Sequence, residues 1–155
     1  MARMTIYGFD ELAQKLDKLG NNSINIAKKA VMAAAVPVAN EVRKNLIANI
    51  KDPGYVGKGD NPWGTKAITS TGDLLESFGI TPPDVDKNGY VNTKVGFAGY
   101  DRKGVPNALK ARAMESGTST LKKRPFMRPA INKTRKKALS EMGRVIDEEI
   151  KIYAL

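Results

Sequence analysis

Two parts of the chain have apolar residues that recur every three or four positions, and a region without this period separates them. Near the N-terminus, one stripe consists of Phe9, Leu12, Leu16 and Leu19, and the next of Ile24, Ala27, Val31, Ala34, Val38, Val42, Leu46 and Ile50. This spacing is typical of amphipathic helices that bury one face. Gly20, Asn21 and Asn22 stand between the stripes and predict the end of the first helix. We therefore expect two helices, with Ser23 capping the second and Pro37 kinking or interrupting it.

The C-terminal part predicts another long amphipathic helix, from Pro129 to Tyr153. Its apolar stripe consists of Ile131, Ala138, Met142, Val145 or Ile146, Ile150 and Tyr153. Pro129 is tolerated because the first turn of a helix leaves its N–H groups without intrahelical acceptors. A shorter helix is expected from Pro106 to Met114, followed by a turn at residues 116–118.

Between these helical regions the sequence favours short strands. Residues 71–74 predict a short capped helical turn, which leads into a strand at residues 78–81 that Pro82 ends. Residues 86–89 (Asp-Lys-Asn-Gly) predict a turn. Residues 90–97 are rich in strand formers and alternate in part between apolar and polar, so we expect an antiparallel partner for the preceding strand.

Residues 51–70 have no apolar period and are rich in glycine and proline. This composition predicts a loop of about twenty residues that is mobile in the isolated protein. Trp63 lies at the centre of this loop. Either its indole folds back onto the core, or it anchors a partner, because tryptophan is frequent at interface hot spots.

Length and charge limit the number of domains and the kinds of partner that we expect. The chain has 155 residues, which suits one hydrophobic core, and we expect a single domain over residues 1–155. The net charge of +10 is concentrated between Asp101 and Lys137, a stretch with twelve of the 26 basic residues and two of the 16 acidic ones. A positive surface of this kind attracts nucleic acid or an acidic protein partner.

The amino-acid inventory limits the chemistry that the chain can perform. There is no cysteine and no histidine, which excludes disulfides, thiolate metal sites, thiol nucleophiles and the commonest proton carrier at neutral pH. Hydroxyls stand beside carboxylates at residues 76–77 and 115–116, but no base completes a nucleophile pair. We therefore expect a non-enzymatic protein with no cofactor, no metal and no small-molecule substrate. No apolar window has the length of a signal peptide or a membrane span, so we expect no membrane contact and assembly in a reducing cytoplasm.

Four short motifs follow one another in the second half of the chain. They are residues 71–75 (Thr-Gly-Asp-Leu-Leu) with Ser77, residues 95–97 (Val-Gly-Phe), residues 115–118 (Glu-Ser-Gly-Thr) and residues 124–130 (Arg-Pro-Phe-Met-Arg-Pro-Ala) before the last helix. In this order they resemble the tail-component family of long-tailed bacteriophages, the small neck or tail-completion proteins of the head–tail junction. Residues 8–12 and the alanine-rich second helix match the layout of that family too, so the resemblance covers nearly the whole chain.

The resemblance implies an α+β fold in which a small antiparallel sheet packs against two long helices. It also implies a virion protein of the neck or tail, assembled in the host cytoplasm, that forms a ring with copies of itself and contacts other phage neck or tail proteins. The basic stretch is compatible with non-specific contact with DNA. No catalytic residue is carried over, and the long loop around Trp63 departs from the family pattern.

The motifs single out two sets of residues. The first set we interpret as structural: Gly72, Leu74, Glu115, Gly117, Thr118, Pro125, Phe126 and Pro129. The glycines suit turns, Phe126 fills the core or an interface, and Pro129 starts the last helix. The second set contains the candidates for contact with partners or other copies: Trp63, Lys122, Lys123, Arg124 and Arg128.

A second interpretation is a small basic nucleic-acid-binding protein. The basic stretch contains one aromatic residue, Phe126, so the stacking platforms that bind single strands are nearly missing. Basic residues are equally suited to attract the acidic surface of a neighbouring protein in a ring. The sequence favours the assembly protein and leaves both interpretations open.

Overall fold

The computed structural model describes residues 9–51, 72–119 and 121–154, and it has the predicted α+β fold. Four helices and four short strands lie within these residues: α1 (Phe9–Lys51), α2 (Asp73–Glu76), β1 (Phe78–Ile80), β2 (Asp84–Val85), β3 (Val91–Asn92), β4 (Val95–Phe97), α3 (Asn107–Ser116) and α4 (Met127–Ala154). The long helix α1 and the start of α4 pack against the small antiparallel sheet. Beyond the last residue of α1, the predicted loop with Trp63 lies outside the described residues.

Helix α1 is continuous, which corrects the prediction of two helices separated at residues 20–22. The polar side chains that predicted a break bond back into the helix instead. The Asn22 amide donates to the Lys18 carbonyl at 2.9 Å, and the Ser23 hydroxyl donates to the Gly20 carbonyl at 2.7 Å. Both acceptors belong to the preceding turn of the same helix, so Ser23 is not the cap of a new one.

Pro37 lies inside α1 without interrupting it. Its ring nitrogen cannot donate to the carbonyl of Ala33 one turn earlier, so the helix lacks one backbone hydrogen bond there. Ala34, Ala35 and Ala39 on either side are buried, and this packing supports the helix across the proline. The predicted interruption is therefore absent.

The strands form two antiparallel pairs, β1 with β4 and β2 with β3. In the first pair Phe78 lies opposite Phe97, and Ile80 lies opposite Val95. All four side chains pack on the core. The predicted partner strand for β1 is thus confirmed, but residues 90–97 form two short strands rather than one.

Thr81 explains why this segment is divided. The Thr93 hydroxyl donates to the Thr81 carbonyl at 2.5 Å, and the Lys94 N–H donates to the Thr81 hydroxyl oxygen at 2.9 Å. These side-chain bonds replace part of the regular ladder between the strands. The turn before β3 forms as predicted, with Gly89 at a φ of 84° and its N–H donating to the Asp86 carbonyl at 3.0 Å.

Helix α4 packs along α1 in an antiparallel orientation. Two ion pairs mark the register: Lys29 Nζ with Glu149 Oε1, and Lys133 Nζ with Glu41 Oε1, each at 2.7 Å. Both lysine side chains are exposed, so these pairs orient the helices more than they stabilise them. The buried face of α1 is rich in alanine, which allows close contact between helix backbones.

The core lies where α1, the sheet, α3 and the start of α4 meet. Its fully buried large side chains are Phe126, Leu46 and Val42. The ring of Phe97 lies 5.2 Å from that of Phe78 and 5.9 Å from that of Phe126, the second contact being edge-on. This row of three rings joins the sheet to the beginning of α4.

Candidate functional site

The fold brings together the last two motifs of the resemblance, at residues 115–118 and 124–130. Helix α3 ends at Ser116, the chain turns at Gly117, and α4 begins at Met127. Residues 115–119 and 121–130 therefore form one connected unit, which we call the α3–α4 junction. It contains six of the eight positions interpreted as structural and all the described candidates for partner contact.

Glu115 caps the beginning of α4. Its Oε2 accepts hydrogen bonds from the backbone N–H groups of Phe126 and Met127 at 2.7 and 2.9 Å, and its Oε1 accepts from that of Arg128 at 3.0 Å. The first N–H groups of a helix have no intrahelical acceptor, and Pro129, next in the chain, has no N–H to satisfy. The carboxylate thus ties the end of α3 to the start of α4, which explains why α4 begins two residues before the predicted Pro129.

The surroundings of Glu115 act on its pKa in opposite directions. Burial favours the neutral form and raises the pKa, whereas the three backbone donors and the positive charge of Arg128 lower it, and the net result is a pKa below its ordinary value. A carboxyl group with a lowered pKa in the folded state stabilises the protein above its unfolded pKa of about 4.3. That contribution is lost as the pH falls through the folded value.

We expect Glu115→Gln to lower the free energy of unfolding by about 2 kcal/mol at pH 7, because a neutral amide accepts fewer and weaker hydrogen bonds from the helix terminus. The difference from the wild type should shrink below about pH 4.3, where the wild-type carboxylate is protonated. Urea denaturation at several pH values measures both effects. The control is Glu148→Gln on the exposed side of α4, and an equal loss in both variants would contradict the capping role.

Gly117 and Thr118 form the turn that follows α3. Gly117 has a φ of 77°, and a Cβ at this position would lie 2.9 Å from the backbone nitrogen of Lys123. The Thr118 N–H donates to the Leu121 carbonyl, and the Leu121 N–H donates to the Thr118 hydroxyl oxygen, both at 2.9 Å. The Arg124 N–H donates to the carbonyl of Met114 at 2.7 Å, so the chain returns directly against α3.

Two asparagines of α1 hold the junction from the other side. Asn45 Nδ2 donates to the Phe126 carbonyl at 3.2 Å, and Asn49 Nδ2 donates to the Arg124 carbonyl at 3.1 Å. Both bonds are partly buried. They satisfy backbone acceptors that precede α4, and the sequence analysis did not identify them, since no local pattern links α1 to residues more than seventy positions away.

The other positions interpreted as structural have different surroundings. Phe126 is fully buried and belongs to the core, whereas Pro125 and Pro129 are exposed. Gly72 precedes α2 with a φ of 84°, a left-handed conformation that favours glycine. Leu74 is half-buried and packs against the core.

The basic candidates lie on the outer side of the junction. Lys122, Lys123 and Arg128 are exposed, while Arg124 is half-buried. Lys123 and Arg128 border an open depression of about 500 Å³, whose other lining residues are Glu115, Ser116, Pro125, Pro129 and Asn132. The Glu115 carboxylate already accepts hydrogen bonds from the N–H groups at the start of α4, so these groups do not attract a further anion. The positive charge of this depression comes from the side chains of Lys123 and Arg128.

More basic side chains continue along α4 from the junction. Arg135, Lys136 and Lys137 are exposed, and Lys133 pairs with Glu41. Elsewhere in the basic stretch, two ion pairs link Arg102 with Asp73 and Lys110 with Asp101. The junction and the first half of α4 therefore carry the largest concentration of solvent-facing positive charge in the described chain.

Within the three described ranges, no three acidic side chains lie close enough together to hold a metal ion. None of the helices in these ranges is long and apolar enough to cross a membrane. Comparison with known proteins found no matching family model, no matching curated protein and no matching solved structure.

Proposed function

We propose that this chain is a non-enzymatic assembly protein of a long-tailed phage virion. In this proposal it acts at the head–tail junction or the tail end, assembles into a ring with copies of itself, and contacts neighbouring virion proteins. The observation that carries the proposal is the direct bonding between two motifs of the family resemblance. Glu115, in the motif at residues 115–118, accepts its hydrogen bonds from three residues of the motif at residues 124–130.

The geometry of the α3–α4 junction suits a docking surface. Its backbone is fixed by the Glu115 carboxylate, by two asparagines of α1 and by the buried ring of Phe126. A rigid backbone reduces the entropy that exposed side chains lose on binding. Lys122 and Lys123 are therefore held at a defined position, where they can meet an acidic surface of the next protein.

The alternative function is nucleic-acid binding, and the exposed basic surface of α4 favours it. A protein that neutralises phosphates releases counterions, so such binding weakens steeply as salt rises. A dedicated DNA-binding protein also prefers its own site by about a thousandfold or more over other sequences. The assembly proposal predicts weak binding at physiological salt that is indifferent to sequence.

The test is the double variant Lys122→Ala/Lys123→Ala, introduced into the phage or prophage that carries the gene. We expect the purified variant to keep its helical circular dichroism and thermal midpoint, because both side chains are exposed. We expect joined particles to fall by about tenfold or more, with heads and tails accumulating separately in electron micrographs. Arg124 is left unchanged because its side chain is half-buried, and its replacement could change the packing of the junction as well as its surface charge.

The matched control is Lys87→Ala/Lys94→Ala, which removes two exposed lysines from the strand region. It should leave particle yield unchanged. Normal particle yield from the Lys122/Lys123 variant, together with a wild-type protein that selects one DNA sequence in binding assays, would overturn the assembly proposal in favour of the alternative.

A further inference from the structure

The first part of α1 extends beyond the end of α4. The ion pair between Lys29 and Glu149 sets the register of the two helices, and α4 ends five residues later at Ala154. At about 1.5 Å per residue in each helix, this end is level with about residue 24 of α1. Residues 9–23, about 22 Å of helix, therefore project past α4, and we call them the α1 overhang.

The overhang carries an apolar row that continues a buried face of α1. Its apolar residues are Leu12, Leu16, Leu19, Ile26 and Ala30, and the polar Ser23 lies in the row between Leu19 and Ile26, so that successive positions are spaced alternately by four and three residues. Ile26 and Ala30 are buried, whereas Leu12 is 52% and Leu16 58% exposed. The same face thus becomes exposed where α4 ends, which leaves large apolar side chains in solvent on a projecting helix.

Helix α4 carries a second apolar row, which we call the α4 stripe. It consists of Ile131, Leu139, Met142, Ile146 and Ile150, whose spacing places them on one side of the helix. Ile131 is 46% and Leu139 60% exposed, while Met142 and Ile146 are half-buried. The described chain therefore has two separate apolar rows on its two long helices.

We infer that the α1 overhang of one copy packs on the α4 stripe of the next copy around a ring. This inference rests on the proposed function and names the surfaces through which the ring forms. A closed ring repeats one heterologous contact, which requires two different and complementary patches on every subunit. A symmetric pairing of two overhangs would cover only one of the two rows.

Length and charge support this pairing. The row from Leu12 to the half-buried Leu19 is about 10 Å long, and that from Ile131 to Leu139 is about 12 Å long. The described side chains of the overhang, residues 12–23, include one acidic and two basic residues, whereas residues 127–140 contain five basic residues and no acidic one. The overhang is thus nearly neutral and the surface around the α4 stripe strongly basic, so two stripes repel each other more than a stripe and an overhang do.

Two variants of the full chain test the contact. Leu12→Gln/Leu16→Gln changes the overhang, and Ile131→Gln/Leu139→Gln changes the α4 stripe; the four side chains are at least 46% exposed, so both variants should fold. We expect the wild type to form species larger than a dimer in size-exclusion chromatography with light scattering. Each variant alone should need about tenfold or more higher concentration to assemble.

Mixing the two variants separates this contact from a pairing of two overhangs or of two stripes, and the size of the wild-type assembly separates a ring from a two-fold dimer in which each overhang packs on the partner's stripe. The overhang variant keeps an intact α4 stripe and the stripe variant keeps an intact overhang, so an equimolar mixture should form a heterodimer and stop there. The control Val36→Gln/Leu109→Gln changes two exposed apolar residues outside both rows and should assemble like the wild type.

Three results would overturn the inference. They are a mixture that stays monomeric while the wild type assembles, variants that assemble like the wild type, and a wild type that is no larger than a dimer at the highest concentration reached. A wild type no larger than a dimer would also count against the ring of the proposed function. The other two results leave the proposed function to the separate assay of joined particles with the Lys122/Lys123 variant.

Discussion

Phe126→Ala is expected to lower the free energy of unfolding by about 3–5 kcal/mol, the usual cost of removing a buried aromatic ring. The side chain is fully buried, and its ring meets that of Phe97 edge-on. Its removal leaves a cavity where the sheet, α3 and the start of α4 meet, and it loses an aromatic contact that adds to the burial energy. Guanidinium denaturation followed by circular dichroism measures the change.

Two further variants make this expectation specific. Phe126→Leu keeps part of the buried volume and should cost less than Phe126→Ala. Tyr100→Ala removes an aromatic side chain that is 71% exposed and should change stability by less than about 0.5 kcal/mol. Equal effects at Phe126 and Tyr100 would show that the ring of Phe126 does not pack in the core.

Local patterns predicted the elements of the fold well. The period of apolar residues located α4 and the helical region of α1, although it divided α1 into two helices, and the strand formers after the turn at residues 86–89 located the partner of β1. These features depend on neighbours in the sequence, through side-chain direction and backbone preference. The helices and the antiparallel strand pair could therefore be predicted before any contact was known, and the α+β fold in which they pack was implied by the family resemblance.

Element ends were harder to predict where side chains can bond in two ways. Asn22 and Ser23 are typical of helix boundaries, because their side chains compete with the backbone for hydrogen bonds. In the folded chain they donate to carbonyls of the preceding turn and remain inside α1. The sequence shows which groups are able to cap a helix, but the choice between the two bonding modes depends on the packing of the whole helix.

The α3–α4 junction, the candidate site, could also be predicted only in part from the sequence. Its motif residues were identified from the sequence, but the role of Glu115 as a helix cap depends on a contact across eleven positions. The contributions of Asn45 and Asn49 depend on contacts across 81 and 75 positions. Contacts between residues so far apart in the sequence form only when the chain has folded. They cannot be predicted from the spacing of residues within one helix or strand.

Gly117→Ala is expected to lower the free energy of unfolding by about 2–4 kcal/mol, through backbone strain and crowding together. The residue has a φ of 77°, which side chains rarely adopt. A Cβ there would lie 2.9 Å from the backbone nitrogen of Lys123 and 3.1 Å from the carbonyl oxygen of Leu121. Both atoms belong to the backbone, so relief requires the returning chain to move away from α3. Urea denaturation measures the loss.

Gly104→Ala separates the two causes, because Gly104 has nearly the same φ, 76°, and no atom within 4 Å of an added Cβ. Backbone strain alone should lower the free energy of unfolding of that variant by about 1 kcal/mol. The additional loss in Gly117→Ala therefore measures the crowding against Lys123. That crowding should also weaken the hydrogen bond from the Arg124 N–H to the Met114 carbonyl, which is 2.7 Å long. Hydrogen exchange should then show a faster rate for the Arg124 amide in Gly117→Ala than in the wild type. Equal losses in the two variants, with Arg124 exchange unchanged, would mean that the turn accommodates a side chain and that the close approach of the chain to α3 does not depend on glycine.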